Sequence, residues 1–187
     1  YLNDNLKGLD YDLKKINCAF HVTLTPYHKD IEPFVPDKSE VIKTILKLSE
    51  IFGKERIFLR YDPVFINDKY TVLYHIKAFE KLMKVFENKI DRVIISFIDL
   101  KKNTKKNKFK ELSLDEVEEV SSKFGELARK YNVKIQACAE SYDLKKYGFT
   151  GEACVNPTTI YKLTGKIYNK KGHFRENCHC MEMVDIG

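Results

Sequence analysis

The chain has 187 residues, of which 43% are hydrophobic and 32% are charged, and its net charge is +6. This composition is typical of one globular domain with a sizeable core. No run of 18 apolar residues occurs, and no basic segment followed by an apolar one opens the chain. We therefore expect a single soluble, cytoplasmic domain that is neither secreted nor in contact with a membrane.

The first half of the chain alternates between strand-like and helix-like segments. Residues 1–15 carry leucines at helical spacing and predict the end of an amphipathic helix. Residues 17–25 predict a strand, followed by a long loop and a helix of about fourteen residues that Ser39 caps and Gly53 ends. Residues 56–61 predict the next strand, which stops near Pro63 because proline cannot donate to a sheet ladder. The helix after it is predicted at residues 70–88.

The second half repeats this alternation. Residues 92–98 form a nearly continuous apolar run, typical of a strand buried on both faces. A lysine-rich loop leads to a helix that Ser113 caps and that ends at Tyr131, and residues 133–139 predict a fourth strand. A short helix at residues 157–163 and a strand at residues 181–186 follow. This alternation predicts an α/β fold with parallel strands joined by right-handed crossovers.

Five cysteines occur in the chain, which is too large to need disulfide bonds for its stability. Their odd number favours a reducing compartment, where thiols remain free to bind metal. The chain begins with Tyr1 and stops directly after MEMVDI, which has the pattern of a strand. We therefore expect it to be part of a longer protein, truncated at both ends.

Polar side chains follow the predicted strands at their carboxyl ends, which share one edge of a parallel sheet and carry the active sites of such enzymes. Asp62, Asp99 and Glu140 are the candidate catalytic residues, because a carboxylate perturbed by burial or by a second charge serves as general acid or base. Arg60 is a candidate for binding a substrate carboxylate or phosphate through its two guanidinium nitrogens. The other candidate substrate-binding residues at these ends are Thr25, Ser96 and Asp185.

A structural interpretation stands beside these assignments. Arg60 and Asp62 are two residues apart and point the same way on a strand, so they also fit an ion pair that ties down a loop. Thr25 and Ser96 also fit residues that are bonded within the fold, and Glu140 fits a partner for a neighbouring lysine.

A motif rich in cysteine and histidine, HFRENCHC, begins at His173. Thiolates and imidazoles at this density suit zinc or an iron–sulfur cluster. The alternative interpretation is a set of reduced core and surface thiols, and Cys18, inside a predicted strand, is one that we assign to the core. The candidate metal ligands are Cys138, Cys154, Cys178 and Cys180.

The loop at residues 101–110 contains six lysines and is long for a connection between a strand and a helix. Its position after Asp99 would place it over the carboxyl edge of the sheet. Lys105 and Asn107 are therefore candidates for binding phosphate or nucleic acid. The alternative is a charged, solvated surface, and the single aromatic residue, Phe109, argues against a stacking platform for single strands.

Several motifs, taken in order, match one family. They are FHVTLTPY and DIEP in residues 20–33, RYDPVF in residues 60–65, SFID in residues 96–99, ACAE in residues 137–140, Cys154 and the closing CHCMEMVDIG. On these motifs the chain resembles an uncharacterised prokaryotic family, a domain of unknown function. Members of that family end in a cysteine cluster like that of radical S-adenosylmethionine (radical SAM) enzymes.

The resemblance implies a parallel (β/α) barrel or partial barrel, similar to a TIM barrel and to the radical SAM barrel. It also implies an iron–sulfur cluster and S-adenosylmethionine as cosubstrate. In the family, the DIG motif is followed by a Cys-x3-Cys-x2-Cys segment, and an opening barrel segment precedes the region seen here. This chain contains neither, so the triad that would hold a SAM-binding cluster is not in it. The cysteines that match those of the family are Cys138, Cys154, Cys178 and Cys180.

Three functions are consistent with these features. The first is a radical-SAM-like iron–sulfur enzyme that acts on a small or phosphate-bearing substrate. The second is a zinc-dependent barrel hydrolase that uses metal-activated water. The third is a nucleic-acid-binding module built on the lysine-rich loop, with structural cysteines.

Overall fold

The computed structural model describes residues 17–100, 109–167 and 180. Five strands and four α-helices alternate along this part of the chain. The strands are β1 (Phe20–Thr23), β2 (Ile57–Val64), β3 (Arg92–Phe97), β4 (Lys134–Ala137) and β5 (Phe149–Thr150). The helices are α1 (Lys38–Phe52), α2 (Val72–Phe86), α3 (Leu114–Lys130) and α4 (Pro157–Thr164).

All five strands are parallel and lie in the order β1-β2-β3-β4-β5. The prediction of a parallel α/β sheet is therefore confirmed. Each strand lies next to its successor in the chain, so each connection moves one position across the sheet. Strand β5 has only two residues and was not predicted.

One face of the sheet is covered by α1, α2 and α3. Their apolar side chains form a single core with the residues of β2 and β3 that point towards them, among them Leu59, Tyr61 and Val93. Phe79 of α2 stacks on Phe124 of α3 with ring centroids 3.9 Å apart. Burial of large aromatic rings is a major source of stability in a domain of this size.

The opposite face of the sheet is different in character. Because side chains alternate along a strand, the residues between those of the core point to this second face. Phe58 and Ile94 form a smaller apolar cluster there with three cysteines. Polar residues share the same face at neighbouring register positions, because Arg60 pairs with Ile94 in the β2–β3 ladder and Ile94 pairs with Gln136 in the β3–β4 ladder.

Two element ends differ from the prediction. Asp37, not Ser39, is the N-cap residue of α1, and its side chain makes no capping hydrogen bond. Strand β2 continues past Pro63 to Val64. It does so because the β2–β3 register shifts between Tyr61 and Val64, and such an irregularity accommodates a residue that cannot donate to the ladder. The predicted Ser113 cap is confirmed as a capping box with Glu116.

The sheet of the described residues does not close into a barrel. Five strands are fewer than the eight that close a TIM barrel, and β1 and β5 are edge strands in this sheet. The predicted helix at residues 1–15 and the strand at residues 181–186 lie outside the described residues. Within the described ranges, no helix is both long enough and apolar enough to cross a membrane.

Candidate functional site

A cavity of about 210 Å³ lies beyond the carboxyl ends of β4 and β5. Its walls come from the segment that follows β4, from the loop after β5 and from one residue near the end of the chain. Glu140 and three cysteines line it. The cavity is thus at the edge of the sheet where the sequence predicts the functional residues to meet.

The three cysteines come from parts of the chain that are far apart in sequence. Cys138 directly follows β4, Cys154 lies in the loop between β5 and α4, and Cys180 lies beyond α4. All three are buried and belong to one cluster on the second face of the sheet, against Phe58 and Ile94. The fold therefore brings together three of the four cysteines that the sequence proposes as metal ligands.

The protonation of Cys154 depends on its neighbours. A hydrogen bond with Cys138 and burial raise the pKa of the Cys154 thiol well above its usual range. The positive charge of Arg60 acts in the opposite direction. The Cys154 thiol is thus neutral as it stands, and a cation placed beside it would provide the charge that favours the thiolate.

Arg60 connects the strands to the cysteines. Its guanidinium pairs with both carboxylate oxygens of Asp62 and also lies 3.8 Å from the Sγ atom of Cys138. Burial lowers the pKa of the guanidinium, but the adjacent Asp62 carboxylate outweighs this effect and raises the pKa above its usual value. The pair predicted from the spacing of these residues is therefore present and borders the cysteine cluster.

Glu140 and Ser96 lie close to this site, whereas Asp99 does not join them. The carboxylate of Glu140 accepts a hydrogen bond of 2.8 Å from the backbone nitrogen of Phe97, so it is held at the end of β3. Ser96 is buried on the same strand and on the same face as Ile94. Asp99 is exposed and does not line the cavity.

The structure gives Thr25 a different position from the predicted one. Its hydroxyl donates to Glu32 over 2.6 Å and accepts from Lys38 over 3.2 Å, and Lys38 also pairs with Glu32. This network ties the loop after β1 to the start of α1, and Thr25 does not line the cysteine cavity. Thr25 therefore lies apart from the cysteine cavity, because the loop folds back and satisfies the hydroxyl locally, and its role in binding substrate stays a prediction.

Several candidates lie outside the described residues: Lys105, Asn107, Cys178 and Asp185. Cys18, assigned to the core from the sequence, precedes β1 and is only half-buried. As the described residues are placed, no three or more of their His, Cys, Asp and Glu side chains form a group at metal-binding separations. The three thiols would therefore have to move closer together to share one metal or cluster.

A second set of polar residues, not predicted from the sequence, lies next to the site. Arg92 and Gln136 occupy the second face of β3 and β4, where both are buried. Asn156 is also buried and contacts Glu152 in the loop that carries Cys154. A signal for them existed, since an arginine opens the apolar segment RVIISFI and a glutamine interrupts VKIQACA, as Arg60 interrupts its own strand.

Comparison with protein families gives one result. The family described as Domain of unknown function (DUF1848) matches residues 3–187, which is nearly the whole chain. Comparisons with curated proteins and with solved structures gave no match.

Proposed function

The chain belongs to the DUF1848 family, and we propose that it is an enzyme with a cysteine-ligated iron–sulfur cluster at the carboxyl edge of its parallel sheet. The observation that carries this proposal is the meeting of Cys138, Cys154 and Cys180 in one buried cluster beside Arg60. Cysteines from three distant segments converge at the edge where parallel α/β enzymes keep their active sites.

The arrangement of the sheet supports a radical-SAM-like partial barrel. The strands follow one another in sequential order, and α1, α2 and α3 all pack on one face. The same combination occurs in (β/α) barrels, in which the helices form the outer layer and the second face of the strands forms the interior. The cysteines and Arg60 lie on this inner side of the proposed partial barrel.

The donor set fits the proposed group in its chemistry. Thiolates are the ligands that hold iron–sulfur clusters, and three buried thiols meet here, two of which already share a hydrogen bond. A bound cluster supplies one-electron reduction chemistry. Zinc takes the same ligands, and a zinc-dependent hydrolase is the second candidate for that reason.

The residues of the chain itself have separable roles in this proposal. Arg60 places a fixed positive charge beside Cys138, and Asp62 orients that guanidinium through its two carboxylate oxygens. Glu140 faces the cavity and is the group placed to bind a proton-bearing or cationic part of a substrate. The apolar side chains of Phe58 and Ile94 keep water away from the thiols.

Elemental analysis of protein purified without oxygen tests this proposal. We expect iron, acid-labile sulfide and broad visible absorption that bleaches on reduction. Replacing Cys138 or Cys154 with serine should lower the iron content at least severalfold. Cys18→Ser is the matched control, because Cys18 lies outside the cluster and should leave the iron content unchanged.

Other results would count against the iron–sulfur assignment. A colourless protein with stoichiometric zinc, lost in the same two variants, would favour the hydrolase. Metal content that does not respond to Cys138→Ser or Cys154→Ser would remove the cysteine cluster as the site. The nucleic-acid hypothesis stays a prediction, since most of the lysine-rich loop lies outside the described residues, and it requires binding that weakens steeply with salt.

A further inference from the structure

We propose that Arg92 is a positioning residue that holds Cys154 in the cysteine cluster. This inference rests on the proposed function and deepens it, because it explains how one ligand on a loop is kept in place. Cys154 lies between β5 and α4, where no strand ladder fixes the backbone. Its position must therefore come from side-chain contacts.

Arg92 reaches this loop from the amino end of β3, on the same face of the sheet as the cysteines. Its Nη1 atom lies 3.1 Å from the Oε1 atom of Gln136 and 3.5 Å from a carboxylate oxygen of Glu152. Its Nη2 atom donates to the hydroxyl of Thr159 over 3.4 Å. One buried guanidinium thus contacts β4, the loop before Cys154 and the helix after it.

Gln136 completes the connection from the neighbouring strand, β4. While its oxygen accepts from Arg92, its Nε2 atom donates to the main-chain oxygen of Glu152 over 2.7 Å. Gln136 is fully buried, so both ends of its amide are used within the protein. The backbone two residues before Cys154 is therefore held directly by a strand of the sheet.

Asn156 holds the other side of the loop. Its Nδ2 atom donates to the main-chain oxygen of Ala153 over 2.9 Å, and its Oδ1 atom accepts from the backbone nitrogen of Thr159 over 2.7 Å. Cys154 thus lies in a short turn whose two flanks are fixed by buried polar side chains. Arg92 joins these flanks, because Glu152 and Thr159 both accept hydrogen bonds from it.

Removing the guanidinium should release the loop without opening the rest of the site. Hydrogen bonds to charged groups contribute more than neutral ones, and a buried polar network loses its order when a central member is removed. Cys138 is fixed differently, since it directly follows β4 and its backbone nitrogen donates to Ile95 over 2.8 Å. The loss of Arg92 should therefore affect Cys154 selectively.

Alkylation of the thiols in the intact, metal-free, reduced protein tests this inference. A buried thiol reacts only when its segment opens, so its labelling rate reports local opening. In Arg92→Gln we expect iodoacetamide to label Cys154 at least about tenfold faster than in the wild type, with the rate at Cys138 within about twofold. Peptide mass spectrometry separates the two sites. Arg92→Lys keeps the charge but not the fork of donors, and should give an intermediate rate.

Two further variants complete the experiment. Gln136→Glu retains the acceptor for Arg92 but loses the donor to Glu152, so it should also accelerate the labelling of Cys154. This variant replaces Arg92→Gln in the experiment if Arg92→Gln does not fold. Arg129→Gln removes an exposed arginine that donates to the main-chain oxygen of Tyr147, and it should change the labelling rate of neither cysteine.

The outcomes separate this inference from the proposed function. If labelling is accelerated equally at Cys138 and Cys154, or at neither, Arg92 does not position Cys154, even if the wild type binds iron. A selective effect at Cys154 in a protein that binds no metal would support the positioning role and count against the iron–sulfur proposal.

Discussion

The imidazole of His75 is fully buried on α2, and both of its nitrogens have partners. Nε2 lies 2.8 Å from the carbonyl oxygen of Phe65, which can only accept, so Nε2 carries the proton. Nδ1 therefore accepts from the hydroxyl of Tyr61, 3.0 Å away. Burial lowers the pKa of His75 from 6.5 to about 4, although the hydrogen bond to Phe65 acts in the opposite direction.

This lowered pKa makes the stability of the fold depend on pH. In the unfolded chain His75 regains a pKa near 6.5, so its stabilising contribution is fully present above that pH. Between pH 6.5 and 4 the unfolded state binds a proton that the folded state does not. Each pH unit in this window lowers the free energy of unfolding by about 1.4 kcal/mol, so the stability lost at pH 5 is about 2 kcal/mol.

A glutamine at this position isolates the effect. His75→Gln keeps one donor for Phe65 and one acceptor for Tyr61 but does not titrate. In urea unfolding, the free-energy advantage of the wild type over His75→Gln should shrink by about 2 kcal/mol from pH 7.5 to pH 5.

One result would refute this reasoning. If the advantage over His75→Gln is the same at pH 7.5 and pH 5, the imidazole is not held neutral by its surroundings. An NMR titration of the His75 ring gives a second measurement. The ring should keep the chemical shifts of the neutral form with a proton on Nε2 down to near pH 4.

Three other substitutions test particular contacts, each by urea unfolding at pH 7.5. Asp62→Asn removes a nearly buried carboxylate from its guanidinium partner and should cost about 2 to 3 kcal/mol; a cost below 0.5 kcal/mol would make the pair a surface contact. Ser113→Ala should cost about 1 kcal/mol, whereas Ser39→Ala, at the wrongly predicted cap, should cost less than about 0.5 kcal/mol. Gly125→Ala should destabilise by about 1 to 3 kcal/mol, although alanine favours a helix, because the new Cβ would lie 1.9 Å from the carbonyl oxygen of Tyr147; a gain in stability would show that this contact gives way.

The order of the elements was predictable because it depends on local signals. Strand β3 and helix α3 are long, strongly patterned segments, and their bounds lie within a residue or two of the prediction. The Ser113 cap was predictable because the hydrogen bond it makes lies within one turn of the helix. Strand β5 was not predictable, because a segment of two residues carries no periodicity and forms a strand only by pairing with Ile135 and Gln136.

Hydrogen bonds between residues that are separated in the sequence determine which candidate side chains enter the site, and the sequence alone does not predict those bonds. Thr25 follows its strand at the expected place, but Glu32 and Lys38 fold back and occupy its hydroxyl. Asp99 also follows its strand, yet it remains exposed, whereas Glu140 accepts a hydrogen bond from the backbone nitrogen of Phe97 and lines the cavity. The position of a residue at the end of a strand therefore predicts that it lies at the carboxyl edge of the sheet. Its hydrogen-bond partners there determine whether its side chain enters the site.

The polar residues of the second face follow one physical rule. Arg60, Arg92 and Gln136 interrupt strands whose other residues are almost all apolar, and each would be costly to bury without a partner. Helices α1, α2 and α3 cover only the other face with apolar side chains, so these polar groups would gain nothing from pointing there. They must turn to the face that holds the cysteines and pair within it, as Arg60 does with Asp62 and Arg92 with Gln136. Polar residues at alternate positions of neighbouring, otherwise apolar parallel strands therefore indicate which face of such a sheet holds the candidate site.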